Sequence, residues 1–131
     1  QYNKFEFNDA QYGPYTAVVS DNRVTDEHAP VRIVARGHPV FTMPNEINDT
    51  AWEGWVQERG LYFLGERDSR YKDLVTLADP FPNNPGPKDG ALVDAAYGKG
   101  HWVYVGLGLW RELPAGVPGA YQLLANLISL K

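Results

Sequence analysis

Residues 91–107 read Ala91-Leu92-Val93-Asp94-Ala95-Ala96-Tyr97-Gly98-Lys99-Gly100-His101-Trp102-Val103-Tyr104-Val105-Gly106-Leu107. Two apolar runs flank Gly98-Lys99-Gly100, and glycine enters positive φ without a Cβ penalty. The stretch therefore predicts a β-hairpin with strands over 91–97 and 101–109. The second run has almost no polar interruption from Trp102 to Leu107, which predicts a strand buried on both faces, as in the middle of a layered sheet. Downstream, Pro118 suits a first helical position. Ala120, Leu123, Leu124, Leu127 and Ile128 then fall on one face and predict an amphipathic C-terminal helix.

Upstream of the hairpin, Val31 to Ala35 is a β-branched strand candidate, halted by Gly37 and Pro39. Shorter candidates lie at 1–7, 15–19, 61–64 and 74–77. Ser20 to Pro30 is polar and reads as a surface connection. Thr50 and Glu53 fit a capping box, in which hydroxyl and carboxylate each satisfy an orphan backbone N–H. Trp52, Trp55 and Val56 share one helical face after it, and Gly60 supplies a stop, so a short helix is expected there. Pro80, Pro82, Pro85 and Pro87 cannot donate to a ladder, so residues 80–90 read as an exposed loop. Strands followed by a terminal amphipathic helix imply an α/β or α+β domain built in layers.

The chain has 131 residues, 44% hydrophobic and 21% charged, as expected for one globular domain over residues 1–131. Its net charge of −4 argues against a nucleic-acid or anionic-membrane surface. No apolar run approaches the roughly 20 residues of a membrane-spanning helix. The absence of cysteine excludes disulfides, thiolate metal sites and Cys nucleophiles. The chain opens on Gln1 rather than Met, so a fragment of a longer protein is expected.

Chemistry-bearing patterns are sparse. His28, His38 and His101 stand at no tight metal-ligand spacing. Asp26-Glu27-His28 is a run of possible ligands, but neighbours in extended chain diverge, so a solvated loop is the expectation and no metal site is assigned. Ser20, Ser69 and Ser129 lie in no Gly-x-Ser-x-Gly elbow. Gly98-Lys99-Gly100 joins two strands and opens no helix, unlike a phosphate cradle. Carboxylate pairs such as Glu66 and Asp68 look like any acidic loop, and no catalytic residue is assigned. Four Trp and eight Tyr are a generous load. Trp52, Trp55, Tyr62, Trp102, Tyr104 and Trp110 are open to two readings, a sugar-stacking surface or a core rich in large rings. Glu58 and Arg59 fall where a helix signal ends and a strand begins, a place where α/β domains put binding groups. An exposed ion pair is the alternative. The candidate ligand-binding set is His38, Glu58, Arg59 and Trp102.

Four stretches carry a resemblance: His38-Pro39-Val40-Phe41, Trp55 to Phe63, Tyr97 to Leu107, and Leu113 to Tyr121. Together they resemble the C-terminal region of long bacterial PIG-L/LmbE-like deacetylases, over roughly residues 24–130. The order His-Pro-Val-Phe then Tyr-Gly-Lys-Gly is also similar to ThuA-like domains of the class I glutamine-amidotransferase-like superfamily. The resemblance implies a layered mixed β-sheet with flanking helices, as part of a flavodoxin-like domain. It also implies a parent that removes acetyl groups from N-acetylglucosamine-type substrates with zinc. That family's metal motif is Ala-His-Pro-Asp-Asp; this chain has Gly37-His38-Pro39-Val40-Phe41, so His38 is not that ligand. Amidotransferase chemistry needs the cysteine this chain lacks. The resemblance thus implies a non-catalytic accessory domain with no cofactor of its own. Its partners would be the catalytic domain of the full-length chain and a carbohydrate. Alternatives are a ThuA-like sugar-processing domain with its own site of His38, Glu58, Arg59 and Trp102, or a pure scaffold.

Overall fold

The computed structural model describes residues 12–131, so the strand expected over 1–7 lies outside the described residues. Nine short strands occur among the described residues. They are β1 (Ala17–Val19), β2 (Arg23–Val24), β3 (Val31–Ile33), β4 (Gly60–Leu61), β5 (Leu64–Arg67), β6 (Lys72–Asp73), β7 (Val75–Leu77), β8 (Leu92–Tyr97) and β9 (Gly100–Val105). Two 3-10 turns (Pro39–Phe41 and Asp49–Trp52) and two helices, α1 (Leu109–Glu112) and α2 (Pro118–Ile128), complete the list.

The hairpin forms as its glycines require. Tyr97 pairs with Gly100 across a two-residue turn, and Gly98 takes φ +59. This register sets two faces. Leu92, Asp94 and Ala96 share one face with His101, Val103 and Val105; Val93 and Ala95 share the other with Trp102 and Tyr104. Each face has its own hydrophobic cluster. Leu92, Val103 and Val105 pack with Phe63, Val75, Leu107 and Leu123, whereas Val93, Ala95, Trp102 and Tyr104 pack with Ala17, Val19, Leu64 and Tyr71. The hairpin is covered on both sides, but full burial belongs to β8 rather than β9. Residues Leu92 to Ala95 are buried, while Val103 and Val105 are half-buried. The reason is position: β8 lies between β6 and β9, and β9 is an outer strand of that sheet.

Every ladder among the described residues is antiparallel: β1 with β5, β2 with β4, β3 with β7, β6 with β8, and β8 with β9. Single hydrogen bonds stitch these ladders together. Leu74 links β6 to β7, donating its N–H to Leu92 O and accepting from Val34 N–H. Leu61 N–H reaches Gly106 O and Leu64 N–H reaches Gly90 O. The fold is therefore mixed α/β, with small antiparallel sheets and few helices. The mixed sheet expected from the resemblance needs parallel pairs, whose crossovers require about a dozen residues or more, usually helical. The connection from β7 to β8 is the Pro-rich loop, which forms no helix. The buried Asp79 ties that loop down by accepting N–H groups of Thr25 and Asp26 and the Asn84 amide.

The helix expected from Thr50 shrinks to the one turn Asp49–Trp52. Asn48, not Thr50, is its cap, accepting from Thr50 N–H, and Gly54 at φ +71 ends it well before Gly60. Gly60 is instead a strand residue lying flat on Gly106. The terminal helix starts on Pro118 as predicted, and Ala120 and Leu123 are buried. Ile128 is 78% exposed, so the apolar stripe is narrower than its spacing suggests. Asn126 replaces it as an anchor. Its buried amide donates to Val40 O and Asn45 O and accepts from Asn45 N–H, holding the first 3-10 turn against α2.

Candidate functional site

Arg59 is only 4% exposed. Its Nε donates to Ala29 O at 2.8 Å and its Nη1 to Trp52 O at 2.6 Å. The remaining terminal nitrogen, Nη2, takes no hydrogen bond among the described residues, and no carboxylate there forms an ion pair with it. Its guanidinium carbon lies 5.5 Å from the Trp55 ring centre, and Trp55 tilts against Trp52. Burial lowers the Arg59 pKa; Asp26, Glu112 and Glu27 nearby pull the other way. Arg59 and Trp52 line a concavity of about 440 Å³, rimmed by Arg36, Asp49 and Glu53. The Trp52 indole Nε1 is buried without a hydrogen-bond partner among the described residues. The pocket thus gathers hydrogen-bond donors, carboxylate acceptors and one indole.

Glu58, one residue earlier, turns away from that pocket. It is buried and receives Arg111 Nε at 2.6 Å. Beside it Glu112 is fully buried: Oε2 accepts the Val56 N–H and Oε1 has no hydrogen-bond partner among the described residues. Burial holds its carboxyl above the usual carboxylate range, against the opposing pull of Val56 N–H, Arg59 and Arg111. Between the ordinary carboxylate value and the raised native one, the native chain therefore keeps a proton that the unfolded chain releases. Stability should fall as pH rises from the ordinary carboxylate value toward the raised native one, then level off. Glu112→Gln should keep the Val56 bond, flatten that decline and raise the melting temperature at neutral pH. Melting curves from pH 4 to 8 check this; a variant with the same pH slope as the parent would refute it.

His38, Asp94 and His101 meet although no sequence spacing announces it. His38 caps the first 3-10 turn, its Nδ1 accepting the Val40 N–H. Its Nε2 lies 3.2 Å from Asp94 Oδ2, and His101 Nδ1 lies 3.0 Å from both Asp94 oxygens. The two imidazoles meet edge-on, 5.8 Å between centres. Asp94 is 7% exposed. Sequence reasoning missed Asp94 and found no metal-ligand spacing for His101. The available signal was the hairpin register, which makes Asp94 and His101 diagonal neighbours on one face. Val40 and Phe41, standing where the deacetylase motif has aspartates, are core residues, so that zinc motif does not fit here.

Trp102 sits on the opposite hairpin face from His101, stacked on Tyr104 and tilted against Tyr71. The four candidate residues therefore do not form one site: Arg59 faces the pocket, Glu58 pairs with Arg111, His38 joins Asp94, and Trp102 packs in the second cluster. The aromatic load divides likewise, Trp52 and Trp55 in one cluster, Trp102 and Tyr104 in the other. Asp26, Glu27 and His28 do not diverge as expected: their ligand atoms lie within 4.8 Å of one another, with the His28 side chain 84% and the Asp26 side chain 21% exposed. No family model, curated protein or solved structure matches this chain.

Proposed function

We propose that this chain is a non-catalytic accessory domain of a PIG-L/LmbE-like N-acetylglucosaminyl deacetylase and helps to hold a carbohydrate. One observation carries the binding part: a buried guanidinium with an unused Nη2, in a concavity shared with an indole and rimmed by a cation and two carboxylates. Sugar hydroxyls donate to carboxylates and accept from guanidinium N–H groups, so such a rim suits a polyhydroxylated ligand, and 440 Å³ lies within the usual range of ligand pockets. In this reading the parallel strand–helix units of a flavodoxin-like domain belong to a neighbouring part of the parent chain. A separate sugar-processing site finds less support, because His38, Glu58, Arg59 and Trp102 point into different surroundings.

Titration with glucosamine, N-acetylglucosamine and their short oligomers should give a saturable change in Trp fluorescence. Arg36 and Glu53 are exposed, so Arg36→Ala and Glu53→Ala should weaken binding about tenfold with unchanged melting temperatures. No change with any of these sugars would leave the scaffold reading instead.

A further inference from the structure

The cluster on the core-facing side of the hairpin is separate from the sugar pocket and holds three good metal ligands. We propose that His38, Asp94 and His101 bind one divalent transition metal of the zinc type. One ring nitrogen of each histidine and an Asp94 oxygen all lie within 4.8 Å of one another, and the nitrogens that face Asp94 are His38 Nε2 and His101 Nδ1. Bonds of about 2.0–2.1 Å to a metal at tetrahedral angles imply ligand-to-ligand edges of about 3.3–3.4 Å. The two edges to Asp94 Oδ2, 3.2 and 3.0 Å, come within a few tenths of an ångström of that length. Two imidazoles and one carboxylate suit zinc, cobalt or iron(II) rather than calcium or magnesium, which prefer all-oxygen sets. The His101 side chain is 24% exposed, so a water can complete the coordination from the solvent side.

The metal-free hydrogen bonds define what loading must change. The Val40 N–H donates to His38 Nδ1, so the His38 hydrogen is on Nε2 and is given to Asp94. His101 gives its Nδ1 hydrogen to the same carboxylate. When the metal binds, the nitrogens that hold it carry no hydrogen, so the His38 hydrogen moves to Nδ1 and His101 carries its hydrogen on Nε2. His38 Nδ1 can then no longer accept from Val40, so the cap of the first 3-10 turn is exchanged for a metal–nitrogen bond. Loading should therefore tighten the hairpin end and free the Val40 amide.

The test is titration of the 131-residue chain with zinc chloride by calorimetry and with cobalt chloride by visible absorption. One equivalent should bind, cobalt should give the visible bands of a low-coordinate site, and Val40 should exchange its amide hydrogen faster. His101→Ala, at the exposed end of the hairpin, should remove all three signals and stay folded. Asp94→Asn should do the same, and His28→Ala should leave them unchanged. No binding at millimolar metal would overturn the proposal. So would binding that survives His101→Ala, binding lost in His28→Ala, or a Val40 amide that loading leaves unchanged. None of these readouts uses a sugar, so the outcome is independent of the pocket reading.

Discussion

Arg59→Met should lower the unfolding free energy by about 2–6 kcal/mol. Methionine keeps the length and apolar body of the side chain but removes both donors. Ala29 O and Trp52 O, which receive them, would then be left buried without partners. Each such orphan costs roughly 1–3 kcal/mol. The total is a large share of the roughly 5–15 kcal/mol that holds a domain of this kind together. Arg59→Lys should fall between parent and methionine, because one ammonium cannot span both carbonyls with a fixed fork. Urea denaturation of the three chains gives the order directly; a methionine variant within about 1 kcal/mol of the parent would show that the two bonds hold little. The same geometry makes Arg59→Ala a poor probe of sugar binding, since it removes a brace of the fold along with a pocket group.

Gly119→Ala separates two opposing effects by sign. Gly119 is the second residue of α2, and in a helix alanine is favoured over glycine by about 1 kcal/mol. Packing says the reverse. A Cβ there would stand 1.9 Å from Ala51 O and 2.5 Å from Ala51 C. Both atoms are backbone of the second 3-10 turn, so no side-chain rotation relieves the clash. Helix α2 would have to lift from the turn that it packs against, exposing Ala120 and Leu123. Overpacking of this kind costs about 1–3 kcal/mol, and more where backbone must move. We expect a net loss of about 2 kcal/mol or more, read as a lower urea midpoint. A more stable alanine variant would mean that α2 does not dock as closely as described.

The parts that were legible in the sequence share one property: they depend on neighbours a few residues away. Gly98 and Lys99 between two apolar runs specify the hairpin turn, and Pro118 with the spacing of Ala120, Leu123 and Leu127 specifies α2. Where a local signal was misread, another local signal competed with it. Asn48 took the capping role from Thr50, and Gly54 ended the turn before the indole spacing could extend it. The site was less legible. Asp94 and His101 could have been placed together by counting the register outward from Gly98, but His38 is 56 residues from Asp94 and nothing in its surroundings points there.

By itself the sequence determined the hairpin with its turn, the terminal helix and the exclusion of cysteine chemistry. Each follows from backbone preferences or residue chemistry that act within a few positions. Ser20 to Pro30, read as a surface connection, instead holds β2 and the buried Val24 and Ala29. Only the tertiary structure decided that β8 rather than β9 is the fully buried strand, that the described ladders are antiparallel, and that Arg59 and Glu58 turn to different surroundings. It alone brought His38 to Asp94. These outcomes depend on which distant segments return to cover an apolar face or desolvate a charge. Burial and desolvation are properties of the assembled surface, and no local pattern of residues encodes them.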